Sequence, residues 1–219
     1  MRVFSLIRSV DMSRLKTPKS EGQKKYIDTL SNSKCVTVVT GPAGTGKTLF
    51  ACQEAVQCYS ESIIDKIVIT RPTIAVDEDL GYLPGGIEEK MAPWLEPIYT
   101  ILQNYFSPYE IERLKERQTL EIVPLSHIRG RTFENCFVIA DEFQNATINQ
   151  TKTLLTRIGY DTKMVLMGDM EQVDINHNES GLVDLVHRID DDLNHIDYVS
   201  MDDEDVQRHP AVKEVLELY

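Results

Sequence analysis

The sequence predicts an α/β fold, a mostly parallel sheet with helices on both faces. Three observations predict it. Short β-branched apolar runs alternate with helical stretches along the chain. The runs are apolar throughout rather than at every second residue, as strands covered on both faces require. A glycine-rich loop follows the first run and opens a helix.

Taken in order, residues 1–20 read as a basic, extended N-terminal arm, and residues 21–219 as a single domain. Gln23 to Leu30 reads as a short helix. Cys35–Thr40 (CVTVVT) is the first buried strand, followed by the helix LFACQEAVQCY and a second strand, KIVIT, from Lys66. GYLPGG at 81–86 is a turn cluster. Ile87–Phe106 reads as a helix bent at Pro93 and Pro97, and Pro108 starts another. Further strands are expected at 119–123, 136–140, 163–167 and 196–201. Between them fall the helices TINQTKTLLTRI, closed by Gly159, and SGLVDLVHRI, and a last helix, PAVKEVLELY, begins at Pro210. No internal repeat is present.

The 219 residues are 42% hydrophobic and 26% charged, enough to bury a core and far from a disordered or collagen-like composition. No apolar run approaches the roughly 20 residues of a membrane helix, and the N-terminus lacks a secretory leader, so the expected location is cytoplasmic. Cys35, Cys52, Cys58 and Cys136 lack metal-ligand spacing and read as reduced, buried thiols; the five histidines are equally dispersed. The net charge of −12 argues against unaided wrapping of nucleic acid. Its distribution is uneven: residues 1–34 carry eight basic and three acidic residues, residues 190–219 two basic and ten acidic. The ends are therefore solvated, or the arm touches a phosphate backbone, or the two ends attract across a subunit boundary.

Between the first strand and its helix stand Gly41, Pro42, Ala43, Gly44, Thr45, Gly46, Lys47 and Thr48, a complete GxxxxGK[ST] loop. Glycines let successive backbone N–H groups turn inward around an anion, and the following helix adds its positive end. Lys47 is suited to reach the outer phosphates, and the Thr48 hydroxyl to ligate Mg²⁺. The expected fold class is thus a P-loop NTPase with a RecA-like sheet. CFVIA-Asp141-Glu142 puts two carboxylates at the C-terminal end of a buried strand, where ligands bind in open α/β sheets. Asp141 is suited to hold Mg²⁺ through water, and Glu142 to polarise the water that attacks the γ-phosphate. A third strand ends in Gly168-Asp169-Met170-Glu171-Gln172, from which Gln172 could bond the γ-phosphate or the attacking water.

These residues together resemble the PhoH-like family of P-loop ATPases. The resemblance runs from about Gln23 to Tyr219, through GPAGTGKT (41–48), ITRPTIAVDEDLGYLPGGIEEKMAPWLEPIY (69–99), HIRGRTFENCFVIADEFQNAT (127–147), LLTRIG (154–159), MVLMGDMEQVDI (164–175) and DVQRHPAV (205–212). The family is similar to the first motor domain of superfamily 1 helicases. The resemblance implies binding and hydrolysis of ATP with Mg²⁺, in a helicase-like role on RNA or single-stranded DNA. By the same analogy Gln23 reads the adenine edge. Some relatives add a nuclease or RNA-binding domain, for which neither end has room here, and the compact form is similar to phage-encoded members.

Helicases of that class place ATP between two such domains, the second supplying an arginine of the kind that is worth roughly 10³–10⁵ in rate. With one domain, subunits are expected to complete one another's sites in a ring, a hexamer before a dimer, with Arg157 and Arg208 as candidate fingers. Each could equally cap a helix or pair with an Asp. Arg71, Arg129 and Arg131 are candidate contacts to nucleic-acid phosphates or to a neighbouring subunit. Trp94 and Tyr99 read as core packing before base stacking. Two rival functions stand beside the ATPase: a small-molecule P-loop kinase, and an interaction module that binds ATP and rarely turns it over.

Overall fold

The computed structural model of the chain describes residues 10–32, 34–72, 87–190, 192–208 and 211–212. The described elements run in the order α1 (Glu21–Leu30), β1 (Val36–Thr40), α2 (Lys47–Ser60), β2 (Lys66–Thr70), α3 (Ile87–Leu102), α4 (Pro108–Glu116), β3 (Leu120–Ile122), β4 (Cys136–Ala140), α5 (Ile148–Leu155), β5 (Lys163–Gly168), α6 (Gly181–Arg188) and β6 (Ile196–Ser200). Six strands form one sheet in the order β3-β2-β4-β5-β1-β6. Every pairing is parallel.

Alternate residues of the apolar runs feed two cores. Val39, Ile67, Ile69, Phe137, Ile139, Val165 and Met167 face the layer that holds Tyr26 of α1, Phe50 and Val56 of α2, and Leu95, Ile98 and Leu102 of α3. Val36, Val38, Val68, Val138, Met164 and Leu166 face the other layer, with Leu154 of α5 and Leu182 of α6. A pleated strand sends successive side chains to opposite faces, so both sets must be apolar and the run reads as continuous. This is the α/β, P-loop, RecA-like architecture expected from the sequence.

Helix starts follow local chemistry. The Ser20 hydroxyl accepts the Gln23 amide ahead of α1. Ser107 and Thr147 form reciprocal capping boxes with Glu110 and Gln150 ahead of α4 and α5, each worth about 1 kcal/mol. Two helix ends differ from expectation. α3 stops at Leu102, and a turn then buries Tyr105 and Phe106 in the core. α5 stops at Leu155 rather than running to Gly159. The chain there forms a parallel bridge, Phe133 to Ile158, and the Gly159 amide donates to the Phe133 carbonyl at 2.7 Å. Tertiary pairing wins over helix propensity at that point.

Within the arm, residues 10–19 lie along the domain. Val10, Met12 and Leu15 pack on the first core. The backbone of Lys16 exchanges hydrogen bonds with the Gln53 side chain at 2.8 and 3.1 Å. Trp94 and Tyr99 also pack against that core, as expected. All four cysteines are free; burial pushes the Cys58 thiol up to about 12 and Cys52 higher still, so both are inert. Among the described residues no helix is long and apolar enough to cross a membrane. The turn at 81–86 and residues 213–219 of the expected last helix lie outside the described residues, whereas 211–212 are helical.

Candidate functional site

The C-terminal ends of β1, β4 and β5 and the loops after them build the site. From Gly41 to Gly46 the chain curls back beneath α2, with Gly44 and Gly46 in the left-handed region at φ +91°, a conformation that side chains resist. The amides from Ala43 to Thr48 have no acceptor among the described residues. Gly46 caps α2 without any side-chain acceptor. A run of unpaired donors at the positive end of a 14-residue helix is an anion cradle. The Thr45 hydroxyl donates to the Pro42 carbonyl at 2.9 Å and braces the loop. Lys47 Nζ folds over it, donating to the Gly41 and Pro42 carbonyls. Burial pushes the Lys47 ammonium below its ordinary value, against the opposing pull of Asp169, Glu142 and Asp141.

Asp141 continues β4 by one hydrogen bond, from its amide to the Thr70 carbonyl at 3.1 Å. Its carboxylate accepts from the Thr48 hydroxyl at 3.2 Å, joining the loop helix to the carboxylate strand. Burial, and then the Glu142 charge, raise the Asp141 carboxyl above its ordinary value, partly offset by Arg71 and the Thr48 hydroxyl. A buried carboxylate held this way, beside a hydroxyl, has the chemistry of a cation ligand. Among the described residues no group of three or more His, Cys, Asp or Glu could hold a metal unaided. Mg²⁺ keeps water and phosphate ligands and needs only one or two from the protein, which Asp141 and Thr48 have the chemistry to supply.

Glu142 turns out of the strand at φ +50°, left-handed backbone for a non-glycine residue, which costs of order 1–3 kcal/mol and clusters at functional sites. Its carboxylate accepts from Gln144 Nε2 at 2.7 Å and lies 3.9 Å from Arg71. Arg71 in turn donates to the Trp94 carbonyl at 3.1 Å. Arg71 is thus held inside the site, between α3 and Glu142.

Sequence reasoning missed Gln144, although it quoted the DEFQN segment. Gln144 is 1% exposed. Its Nε2 also donates to the Gln172 carbonyl at 3.2 Å, and its Oε1 accepts the Asp169 amide at 3.3 Å. One amide therefore ties Glu142 to the turn after β5. Gly168 makes room for it: a β-carbon there would lie 2.4 Å from Gln144 Oε1. The Gln172 side chain itself is exposed, and its backbone carries the link. Asn145 and Asp174 exchange two hydrogen bonds at 2.8 Å and anchor the same turn. Asp169, also unassigned from sequence, is buried near Lys47 as a third carboxylate.

On the other side of the loop stands Gln23, buried on α1. Its Nε2 donates to the Thr45 carbonyl at 3.0 Å and to the Asp205 carbonyl at 3.4 Å, while its Oε1 accepts the Lys19 amide at 2.8 Å. Arg208 lies against Gly44 of the same chain, where a β-carbon would come within 2.8 Å of its Nε.

The remaining arginines are elsewhere. The Arg157 carbonyl pairs with the Phe133 amide, ahead of β4, so this residue sits at the N-terminal ends of the strands, opposite the loop. Its Nε is buried without a partner among the described residues. Arg131 pairs with Glu121 at 2.6 Å, and Glu121 also holds Lys66 at 2.7 Å. Arg129 is exposed.

Against known proteins, the sequence profile described as PhoH-like protein matches residues 16–219. The chain belongs to the PhoH-like family. It is 39% identical over 218 residues to a PhoH-like protein of Synechocystis, covering 99% of this chain and 65% of that one. It is 38% identical over 201 residues to the PhoH-like protein of Bacillus subtilis, covering 92% and 63%. Protein PhoH of Escherichia coli is 39% identical over 179 residues, covering 80% and 50%. The chain thus spans less than two thirds of the length of these relatives. Similar solved structures include the Pif1 helicase of Candida albicans, with 14% identity, a TM-score of 0.44, and 93% of this chain against 43% of that one. Another is Bacteroides Pif1 in complex with ADP-AlF4, with 16% identity, a TM-score of 0.37, and 92% against 46%.

Proposed function

We propose that this PhoH-like chain binds ATP with Mg²⁺ and hydrolyses it, coupled to RNA or single-stranded DNA, as a ring of subunits with the hexamer as the expected form. The observation that carries the proposal is the facing pair of surfaces at the loop. Unpaired amides from Ala43 to Thr48 stand on one side. On the other is Asp141, bonded to Thr48, beside a Glu142 that Gln144 and Arg71 hold. Phosphates in the cradle receive the amide donors and the Lys47 charge. Thr48 and Asp141 would hold Mg²⁺, whose charge offsets that of the phosphate oxygens. Glu142 takes a proton from water as the water oxygen bonds to the γ-phosphorus and the bond to the departing ADP breaks. The strained backbone at Glu142 and its two partners keep the carboxylate aimed rather than free to rotate.

The ring proposal draws on where Arg157 sits. At the N-terminal ends of the strands, away from its own loop, it would serve a neighbour's site, as head-to-tail packing in a closed ring allows. Gln172 and Arg129, both exposed, are the proposed contacts toward the attacking water and the polymer respectively. The test is phosphate release from ATP measured against protein concentration, with and without RNA and single-stranded DNA. Specific activity should fall on dilution and rise with one of the polymers. A rate independent of both would end the ring and polymer proposals. Phosphate appearing only on a small-molecule acceptor would favour the kinase.

A further inference from the structure

The segment after β6 is strapped across the phosphate loop of its own chain. The Met201 amide donates to the Thr40 carbonyl at 2.8 Å, at the end of β1, and the Gln207 amide to the Gly44 carbonyl at 3.0 Å. Asp205, 5% exposed, is held from two sides. Its carboxylate accepts the Gly22 amide at the start of α1 and the Asp202 amide, both at 3.1 Å. Its carbonyl accepts from Gln23. The strap delivers Arg208 onto Gly44, whose missing side chain is what allows the approach: Nε and Cγ would lie 2.8 and 3.0 Å from a β-carbon. Arg208 is half-buried and pairs with no carboxylate among the described residues, in a chain with 35 acidic residues.

The sheet order decides which end of a nucleotide this arginine meets. β1 lies between β5 and β6. Asp141 and Glu142 follow β4 and Asp169 follows β5, so every carboxylate of the site stands on the β5 side of the loop. Arg208, Gln23 and the Asp205 carbonyl stand on the β6 side. A nucleotide with its terminal phosphate toward Glu142 and its next phosphate in the cradle leaves the loop on the β6 side. Building on the ATP reading above, we infer that Arg208 is a contact, within one chain, to the nucleoside end of the nucleotide. Its planar guanidinium packs on the base and reaches the ribose, while Gln23, whose amide is taken up by the Thr45 and Asp205 carbonyls and the Lys19 amide, ties the strap to the loop. It is not the finger that a neighbouring subunit would offer to a γ-phosphate, and of the two candidates only Arg157 keeps that role.

Calorimetric titration of the full chain with Mg-ADP and with Mg-pyrophosphate separates the two ends of the ligand. Arg208→Ala should weaken ADP roughly tenfold, as loss of a partly desolvated guanidinium–ring contact does, and leave pyrophosphate within about twofold of the wild type. Arg208→Lys, which keeps the charge and loses the planar fork, should recover little of the ADP affinity and guards against a folding artefact. In turnover, KM for ATP should rise far more than kcat falls. Equal weakening of both ligands would overturn the inference in favour of a phosphate contact, and unchanged affinity for both would remove Arg208 from the site. A kcat loss of about 10³ or more at saturating ATP would restore the finger. A wild-type chain that binds neither ligand would instead refute the nucleotide reading itself.

Discussion

Replacing Gln144 with leucine isolates the link between Glu142 and the turn after β5. Leucine keeps much of the volume at a position that is 1% exposed, but strips the Asp169 amide of its acceptor and the Glu142 carboxylate of its nearest donor. A buried donor left unpaired costs roughly 1–3 kcal/mol. The lost bond to Glu142 adds about 1 kcal/mol, discounted because that side chain is 39% exposed. The sum, roughly 2–4 kcal/mol, should lower Tm by about 5–15 °C in a domain of this size. Turnover should fall further than stability explains, by about 10², because the proposed base, Glu142, loses its aim. Gln144→Glu is the sharper variant. It replaces the donor to Glu142 with a second carboxylate, so like-charge repulsion should drive the two apart and cut turnover at least as far as leucine does. The assay is steady-state phosphate release at saturating Mg-ATP from pH 5 to 9, beside a thermal melt. Gln144→Leu that melts early yet turns over like the wild type, with Gln144→Glu equally active, would refute the coupling.

Arg131→Ala should cost only about 0.5–1 kcal/mol, since Arg131 is 40% exposed. Burial would raise the Glu121 carboxyl, but its bonds to Lys66 and Arg131 outweigh that and hold it below its ordinary value. The stabilisation is therefore present above about pH 4.5 and is lost as pH falls through the lowered folded value. Melts of variant and wild type should converge there, and a constant gap would deny the ion pair. Asp141→Asn tests the metal position. Because burial raises the Asp141 carboxyl, its ionised form weakens the metal-free fold increasingly as pH rises from 3.8 through the raised value. The variant should melt no lower than wild type in EDTA at pH 7, yet lack the stabilisation by Mg-ATP expected of wild type. Full Mg-ATP stabilisation of the variant would take Asp141 out of the site. Arg129→Ala should weaken RNA or single-stranded DNA binding and lower its salt slope by about one, and an unchanged slope would count against that contact.

The fold and the two halves of the site were legible because their signals are local. VTVVT, KIVIT and CFVIA read as two-faced strands since both cores demand apolar residues from them. The loop and the carboxylate pair carry their chemistry within a few residues. The links between segments were not legible. Nothing in the spacing of Glu142, Asp169 and Gln172 shows that the Gln144 amide joins all three. Arg71 and Arg131 read as contacts to a polymer or a neighbouring subunit, because Glu142 and Glu121, their ion-pair partners, come from other segments of the sequence. Arg208 and Arg157 look equivalent along the chain, and only tertiary pairing separates them, Arg157 ahead of β4 at the N-terminal ends of the strands and Arg208 on the loop at their C-terminal ends. α5 runs short for the same reason, because Phe133 claims Ile158 for a bridge that helix periodicity does not foresee.

ATP turnover and ATP binding measured together on wild type and Glu142→Gln bear most directly on the amide cradle facing a water-activating carboxylate. Wild type should release phosphate from Mg-ATP, and the variant should bind Mg-ATP as tightly while its phosphate release falls by about 10² or more. Undiminished release by the variant, or a wild type that binds no Mg-ATP, would contradict the account.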